Sequence, residues 1–273
     1  MWVLAIAATV AALTPLVMVL YYVARQGLPA LNLDLLTRLP KPVGESGGGM
    51  ANAIIGTLAL IGLASAAGLP LGILGGLYLA EFGRNRFGGG VRFAADVLSG
   101  VPSIVIGIFI YAVVVAPMKH FSALAGGAAL GVMMIPTVMR TTEELVRLVP
   151  VSQREAALSL GATHWRTVFK VVLLAARAGV ITGVLLAVAR IAGETAPLLF
   201  TAFGNRFWSV RLDEPIASLP VQIFTYAISP YDDWHAQAWA GALVLVAMVL
   251  LLSIAARYAG RPRSGPGRAR MVR

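Results

Sequence analysis

From Trp2 to Ala24 the chain carries no charged residue, and from Ala51 to Ala80 it again carries none. Runs of 18 or more such residues are long enough to cross a hydrocarbon core of roughly 30 Å at 1.5 Å per helical residue. Inside lipid every backbone amide and carbonyl must find its partner within the chain, and the alternating pattern of a transmembrane barrel is absent, so helices remain. The expected fold is all-α, a polytopic membrane protein with about six transmembrane helices. Composition agrees: 12% of the 273 residues are charged, against about a quarter in soluble domains.

The spans are placed at about 2–24, 51–80, 97–115, 122–139, 171–203 and 238–257, forming a single membrane domain over 1–260 with a basic tail at 261–273. The first run lacks a basic leader and exceeds the 7 to 15 residues of a signal-peptide core, so it reads as a retained helix. Gly72 and Gly76, four apart in the second run, allow close approach of a neighbouring backbone. The fifth run is expected to be broken, because Arg190, Gly193, Glu194 and Pro197 interrupt it.

Most of the 22 lysines and arginines fall in the 81–96 and 140–177 connections and in the tail. Cytoplasmic loops carry that excess, which places both termini in the cytoplasm of a bacterial cell, with the chain in its cytoplasmic (inner, plasma) membrane. The net charge of +10 forms no basic groove interleaved with aromatics, so nucleic acid is not an expected partner and membrane lipid is. With no cysteine in the sequence there is no disulfide or thiolate site, and neither a metal nor a cofactor is expected. On the outer side, Trp208, Phe224, Tyr226, Tyr231 and Trp234 surround an apolar stretch from Ile216 to Ile228, which reads as an interfacial anchor or as a docking surface for an external partner.

The 140–177 connection holds two helix-start patterns, Thr141-Thr142-Glu143-Glu144 and Ser152-Gln153-Arg154-Glu155, each fitting a capping box. The second predicts a short helix over 153–160 closed by Gly161. A helix of two turns needs tertiary support. The small Ala156 and Ala157 let it enter a cleft of another protein, and a helix lying on the membrane surface fits the pattern equally well.

Glu155-Ala156-Ala157, followed by Gly161 and then Val171-Val172-Leu173, resembles the EAA loop of binding-protein-dependent ABC importer permeases, with Leu174 where that family has proline. Three further segments narrow the resemblance to the A-type permease subunit of phosphate-specific transporters. They are Asp96 to Val105, Arg140 to Glu144, and Ala189 to Ala202; Leu219-Pro220-Val221-Gln222-Ile223 is similar too. The resemblance implies a type I ABC importer permease with an ATPase-coupling helix at Glu155, Ala156, Ala157 and Gly161. It implies four partners or partner sets: a second related permease, a dimer of ATP-binding subunits, an external phosphate-binding protein, and lipid. It also ties Arg190, Glu194 and Arg140 to transport of inorganic phosphate.

Physical reasoning reaches part of the same site. Arg190 and Glu194 are four apart and share a face on a continuous helix, where they can pair with each other. An arginine in a span costs about 2.5 to 3.5 kcal/mol at the centre and ordinarily faces a bundle interior or a wet cavity. An anion path through Arg190, with Glu194 setting orientation and Thr195 adding a hydroxyl, is the functional reading. Arg92 and Asp96 repeat the spacing and are expected to form an interfacial pair.

The chain is not expected to be an enzyme. None of Lys41, Lys119 and Lys170 follows a glycine, so there is no phosphate-binding P-loop and ATP hydrolysis falls to another subunit. Gly44-Glu45-Ser46-Gly47-Gly48 matches the Gly-x-Ser-x-Gly pattern of serine hydrolases. It sits in a glycine-rich loop with His120, His164 and His235 elsewhere, so an intramembrane serine protease is the weaker alternative. Transport of another oxyanion such as sulfate or molybdate is the nearer one, since one arginine does not separate tetrahedral anions.

Overall fold

The computed structural model describes residues 1–43, 45–209 and 211–259. The basic tail at 261–273 and Gly44 of the Gly-x-Ser-x-Gly pattern lie outside the described residues. Those described form helices in this order: α1 (Trp2–Gly27), α2 (Ala51–Glu81), α3 (Arg86–Gly100), α4 (Ser103–Met118), α5 (Ala123–Arg147), α6 (Val151–Ser159), α7 (His164–Ala192), α8 (Ala196–Thr201), α9 (Leu219–Ala227) and α10 (Asp232–Ala259), with short helical turns at Leu28–Ala30 and Leu33–Thr37 between α1 and α2. Among the described residues five helices are long and apolar enough to span a membrane, or six if α3 and α4 are one broken span.

The apolar run expected over 97–115 is divided near Pro102, where α3 and α4 meet at a bend of 104°. Pro102 is the N-cap of α4, at φ −57°, ψ 136°; its ring lacks the N–H that would continue α3 and pushes Val101 out of the helical region. A π-turn at Val168–Val172 widens α7 directly before Leu173-Leu174.

One compact unit comprises residues 1–67, 101–133 and 190–249. Met50, Ala53, Leu219, Tyr226, Trp234 and Ala240 make its buried centre. Tyr226 and Trp234 stack with ring centroids 4.4 Å apart, so two of the five aromatics expected at an interface are core residues instead, while Trp208, Phe224 and Tyr231 are exposed. Thr57 Oγ1 donates to Ala53 O at 2.7 Å and accepts the Leu219 amide at 2.8 Å, tying the start of α9 to α2. At Gly107 of α4, a Cβ would lie 2.6 Å from the Pro197 backbone; only glycine lets α8 approach so closely.

The other unit comprises, among the described residues, 68–100, 134–189 and 250–259. Leu77, Val146, Val149, Val168, Val172, Ala176 and Val180 form its core. Here α2 and α5 pack through the expected small residues: a Cβ on Gly76 would stand 2.5 Å from Met139 O, and one on Gly72 2.7 Å from Val138. Such close approach lets the two backbones pack tightly, and that packing helps hold helices together in lipid.

Candidate functional site

Charged side chains gather in three places. The first is on α5, where Arg140, Glu143 and Arg147 follow the three- and four-residue spacing of one helix face. Glu143 is 1% exposed and receives three arginines: Arg92 Nε at 2.6 Å, Arg140 Nη1 at 2.8 Å and Arg147 Nη2 at 2.7 Å. Arg140 Nε also meets Asp96 Oδ1 at 3.0 Å. Arg92 donates its remaining groups to Gly83 O and Leu79 O, at 2.9 and 2.7 Å, capping the end of α2, where carbonyls lack helical partners.

Two expectations are thereby corrected. Arg92 does not pair with Asp96; it reaches Glu143, and Asp96 takes Arg140 instead. Thr141 to Glu144 do not start a helix, because α5 runs through them. Thr141 Oγ1 donates back to Thr137 O at 2.9 Å, Thr142 is buried, and Glu143 points to the arginines rather than to a free amide.

The second place is α6. Its expected glycine stop is present: Gly161 has φ +80°, and Gly161 N and Ala162 N donate to Leu158 O and Ala157 O at 2.9 and 3.2 Å, a left-handed closure favoured by glycine. Its start differs from expectation, since Pro150 is the N-cap and Ser152 lies inside the helix without a side-chain cap bond. No residue of α6 is buried; Glu155 and Ala156 are exposed and Ala157 is half-buried. Leu158 and Leu160 are exposed too.

What anchors this helix is Arg154. Its Nε and Nη2 donate to Glu81 Oε1 at 3.1 and 2.8 Å, Nη2 donates to Val146 O at 3.0 Å, and Nη1 donates to Val149 O. Glu81 is 7% exposed. One planar fork thus joins the ends of α2, α5 and α6.

The third place is the break after α7. The helix ends at Ala192 and α8 begins at Ala196, with Thr195 as its N-cap and no side-chain cap bond. The backbone between them is not helical, so Arg190 and Glu194 do not share a helix face. The pairing that a continuous helix would allow does not form: among the described residues neither side chain has an ion-pair partner. Arg190 is exposed and occupies the last turn of α7, where the negative end of the helix dipole favours a cation. By contrast, Arg211 in the 202–218 loop is matched by Asp213 and Glu214 at 2.8 and 3.2 Å, and the Arg211 hydrogen bond holds the Asp213 carboxyl below its usual range.

Comparison with known proteins follows from this architecture. The family described as binding-protein-dependent transport system inner membrane component matches residues 68–262. Among curated relatives, the phosphate transport system permease protein PstA of Yersinia pestis is 50% identical over 243 residues, spanning 89% of this chain and 82% of that protein. The chain belongs to the binding-protein-dependent transport family, on its PstA branch. A probable phosphate transport system permease protein PstA of Methanocaldococcus jannaschii shares 37% identity over 254 residues, 93% of this permease and 90% of the relative.

The permease also shares its fold with a chain of the MetNI methionine ABC transporter, at TM-score 0.62 and 20% identity over 78% of this chain and 96% of that one. A chain of a bacterial ABC transporter for alginate import gives 0.57 and 13%, over 79% and 80%. The permease is therefore an all-α, multi-pass inner-membrane subunit with the type I ABC importer fold, and it works as one component of a transporter.

Sequence reasoning named Arg140 and Arg190 as candidates and expected the short α6, but missed the ion-pair roles of Glu143, Glu81 and Arg154. The spacing of Arg140, Glu143 and Arg147 carried a signal for the first, which the capping pattern obscured. Nothing local linked Arg154 to Glu81, 73 residues away. The serine-hydrolase pattern gains no support: the Ser46 carbonyl accepts Lys41 Nζ at 3.0 Å, and His235 contacts Ser229 O at 2.6 Å.

Proposed function

We propose that this permease carries inorganic phosphate across the cytoplasmic membrane, as one of two related permeases driven by a separate ATPase dimer and loaded by an external binding protein. The observation that carries the substrate is the identity of about half of its residues with the PstA relative from Yersinia pestis over nine-tenths of the chain. Support for the path comes from Arg190. It is an always-charged fork at the end of an apolar helix, with no ion-pair partner among the described residues, beside the chain break that carries Glu194 and Thr195. In this reading Arg190 attracts the anion, Glu194 and Thr195 limit its orientation and residence, and Arg140 is a positive charge fixed at the inner edge by Asp96 and Glu143.

Both termini face the cytoplasm, in keeping with the arginine-rich 140–177 connection. The exposed face of α6, with Glu155, Ala156, Ala157 and the glycine closure at Gly161, is the ATPase-docking element. ATP is hydrolysed by the partner, since the chain has no phosphate-binding loop motif.

The test is uptake of labelled phosphate into proteoliposomes holding this chain with its permease, ATPase and binding-protein partners. Arg190→Gln should lower ATP-driven uptake about tenfold or more, the worth of a charge-assisted hydrogen bond at about 1.5 to 3 kcal/mol, while the complex still assembles. Normal uptake by an assembled Arg190→Gln complex refutes the path. ATP-driven uptake of sulfate or molybdate in place of phosphate refutes the substrate.

A further inference from the structure

A cavity of about 350 Å³ opens beside the N-terminus of α9, within the first unit. Leu199, Phe203 and Val221 form much of its apolar wall, and Arg206, Ser218 and Gln222 supply polar groups; no carboxylate lines it. Ser218 is the N-cap of α9, a position where the hydroxyl ordinarily turns back onto a first-turn amide. Here it makes no cap bond. Ser218 is 2% exposed and its Oγ has no hydrogen-bond partner. The Gln222 side chain lies beside the Tyr226 hydroxyl, yet its Nε2 is likewise buried without a partner.

Leaving such groups unpaired costs about 1 to 3 kcal/mol each, so buried polar atoms without partners mark places where something else bonds. Arg206 forms no ion pair among the described residues; its guanidinium rests 5.8 Å from the Trp234 ring centroid. Nearby Asp233 is already engaged by the Gly47 amide and Gln237 Nε2, at 3.0 and 3.3 Å. The polar groups thus have donors to spare: one cationic fork, one hydroxyl and one amide NH₂, with the positive end of a nine-residue helix behind them.

We propose that this cavity is an oxyanion site, distinct from Arg190, in which Arg206, Ser218 Oγ and Gln222 Nε2 hold a phosphate group. Its apolar walls thin out competing water and so strengthen the charge-assisted bonds. The choice of phosphate rests on the proposed function. The same chemistry is offered by the free ion and by a lipid headgroup.

Binding of labelled inorganic phosphate to the assembled permease–ATPase complex, in phosphatidylcholine nanodiscs without binding protein, tests the site. Wild type should bind saturably and gain Tm with phosphate, and Arg206→Gln should weaken binding about tenfold and Ser218→Ala about threefold. Ser218→Ala should be no less stable than wild type when phosphate is absent, because its hydroxyl has no partner to lose. Nanodiscs containing phosphatidylglycerol separate the sources. Phosphate binding that persists there assigns the site to the free ion, and loss of it together with Arg206-dependent enrichment of that lipid assigns it to a headgroup. Equal phosphate affinity in wild type and both variants overturns the proposal. So does saturable binding of neither phosphate nor the anionic lipid. ATP-driven phosphate uptake by the same wild-type complex reports separately on the transport reading, so a failed site and a failed substrate give different results.

Discussion

Glu143→Gln removes the shared acceptor of three arginines and leaves the rest of α5 unchanged. The carboxylate is 1% exposed, while its partners Arg92, Arg140 and Arg147 are 21%, 31% and 50% exposed. Breaking a buried pair by deleting one partner costs about 3 to 5 kcal/mol, because the remaining charge stays desolvated. Three cations remain here, but each keeps some water, which places the expected loss at the lower end, about 3 kcal/mol.

At 1.4 kcal/mol per factor of ten, that is roughly a hundredfold change in the folded-to-unfolded ratio. Equilibrium unfolding of the purified chain in mixed detergent micelles measures it. Asp96→Asn serves as the control, because Asp96 is 56% exposed and exposed pairs contribute about 0 to 1 kcal/mol. Combining Glu143→Gln with Arg92→Gln should recover part of the loss, since the most buried orphaned cation is then gone. A Glu143→Gln loss below about 1 kcal/mol, or an equal loss from Asp96→Asn, refutes the assignment of Glu143 as the hub.

Two other predictions concern α6. Arg154→Gln strands the 7% exposed Glu81 and releases the Val146 and Val149 carbonyls, so amides of 151–159 should exchange with deuterium at least about tenfold faster while those of α2 before Glu81 hold; unchanged exchange contradicts the anchor. At Gly161 an added Cβ meets nothing within 4 Å, so Gly161→Ala should cost only the strain of a left-handed residue, about 1 to 2 kcal/mol. Gly161→Leu should in addition lower phosphate imported per ATP hydrolysed in the full complex, and an unchanged ratio for Leu argues against docking at that residue.

The helices were legible because lipid imposes a coarse requirement, some twenty apolar residues, that survives without knowledge of neighbours. Breaks were legible wherever a residue carries its own stop: Gly161 closes α6, and Gly193 with Pro197 divides α7 from α8. Pro102, inside the third apolar run, carries the same information, and the helix breaks there between α3 and α4. Side-chain pairing was not legible in this way. Thr141 to Glu144 satisfies a capping pattern, yet Glu143 is claimed by Arg92, 51 residues earlier, and a local pattern has no means of weighing a distant cation against a near amide. The Arg190–Glu194 pairing that the spacing allows does not form for the opposite reason: four-residue spacing brings side chains together only on a continuous helix, and Gly193 interrupts it.

A formal charge of +10 therefore says little about where an anion would go. A guanidinium beside a carboxylate presents a dipole, whose field falls off faster than that of a lone charge, and Arg92, Arg140, Arg147, Arg154 and Arg211 are all held this way. Such pairs fix helices. Arg190 and Arg206 are exposed and form no ion pair among the described residues, so each keeps its charge to offer an anion. The second of these also has two buried donors beside it with no bond to make. Counting arginines points to the 140–177 connection; among the arginines without an ion pair, Arg206 stands beside buried polar atoms that have no bond to make, and that conjunction, rather than charge alone, marks the mouth of α9 as a place where a phosphate oxygen finds uncommitted donors.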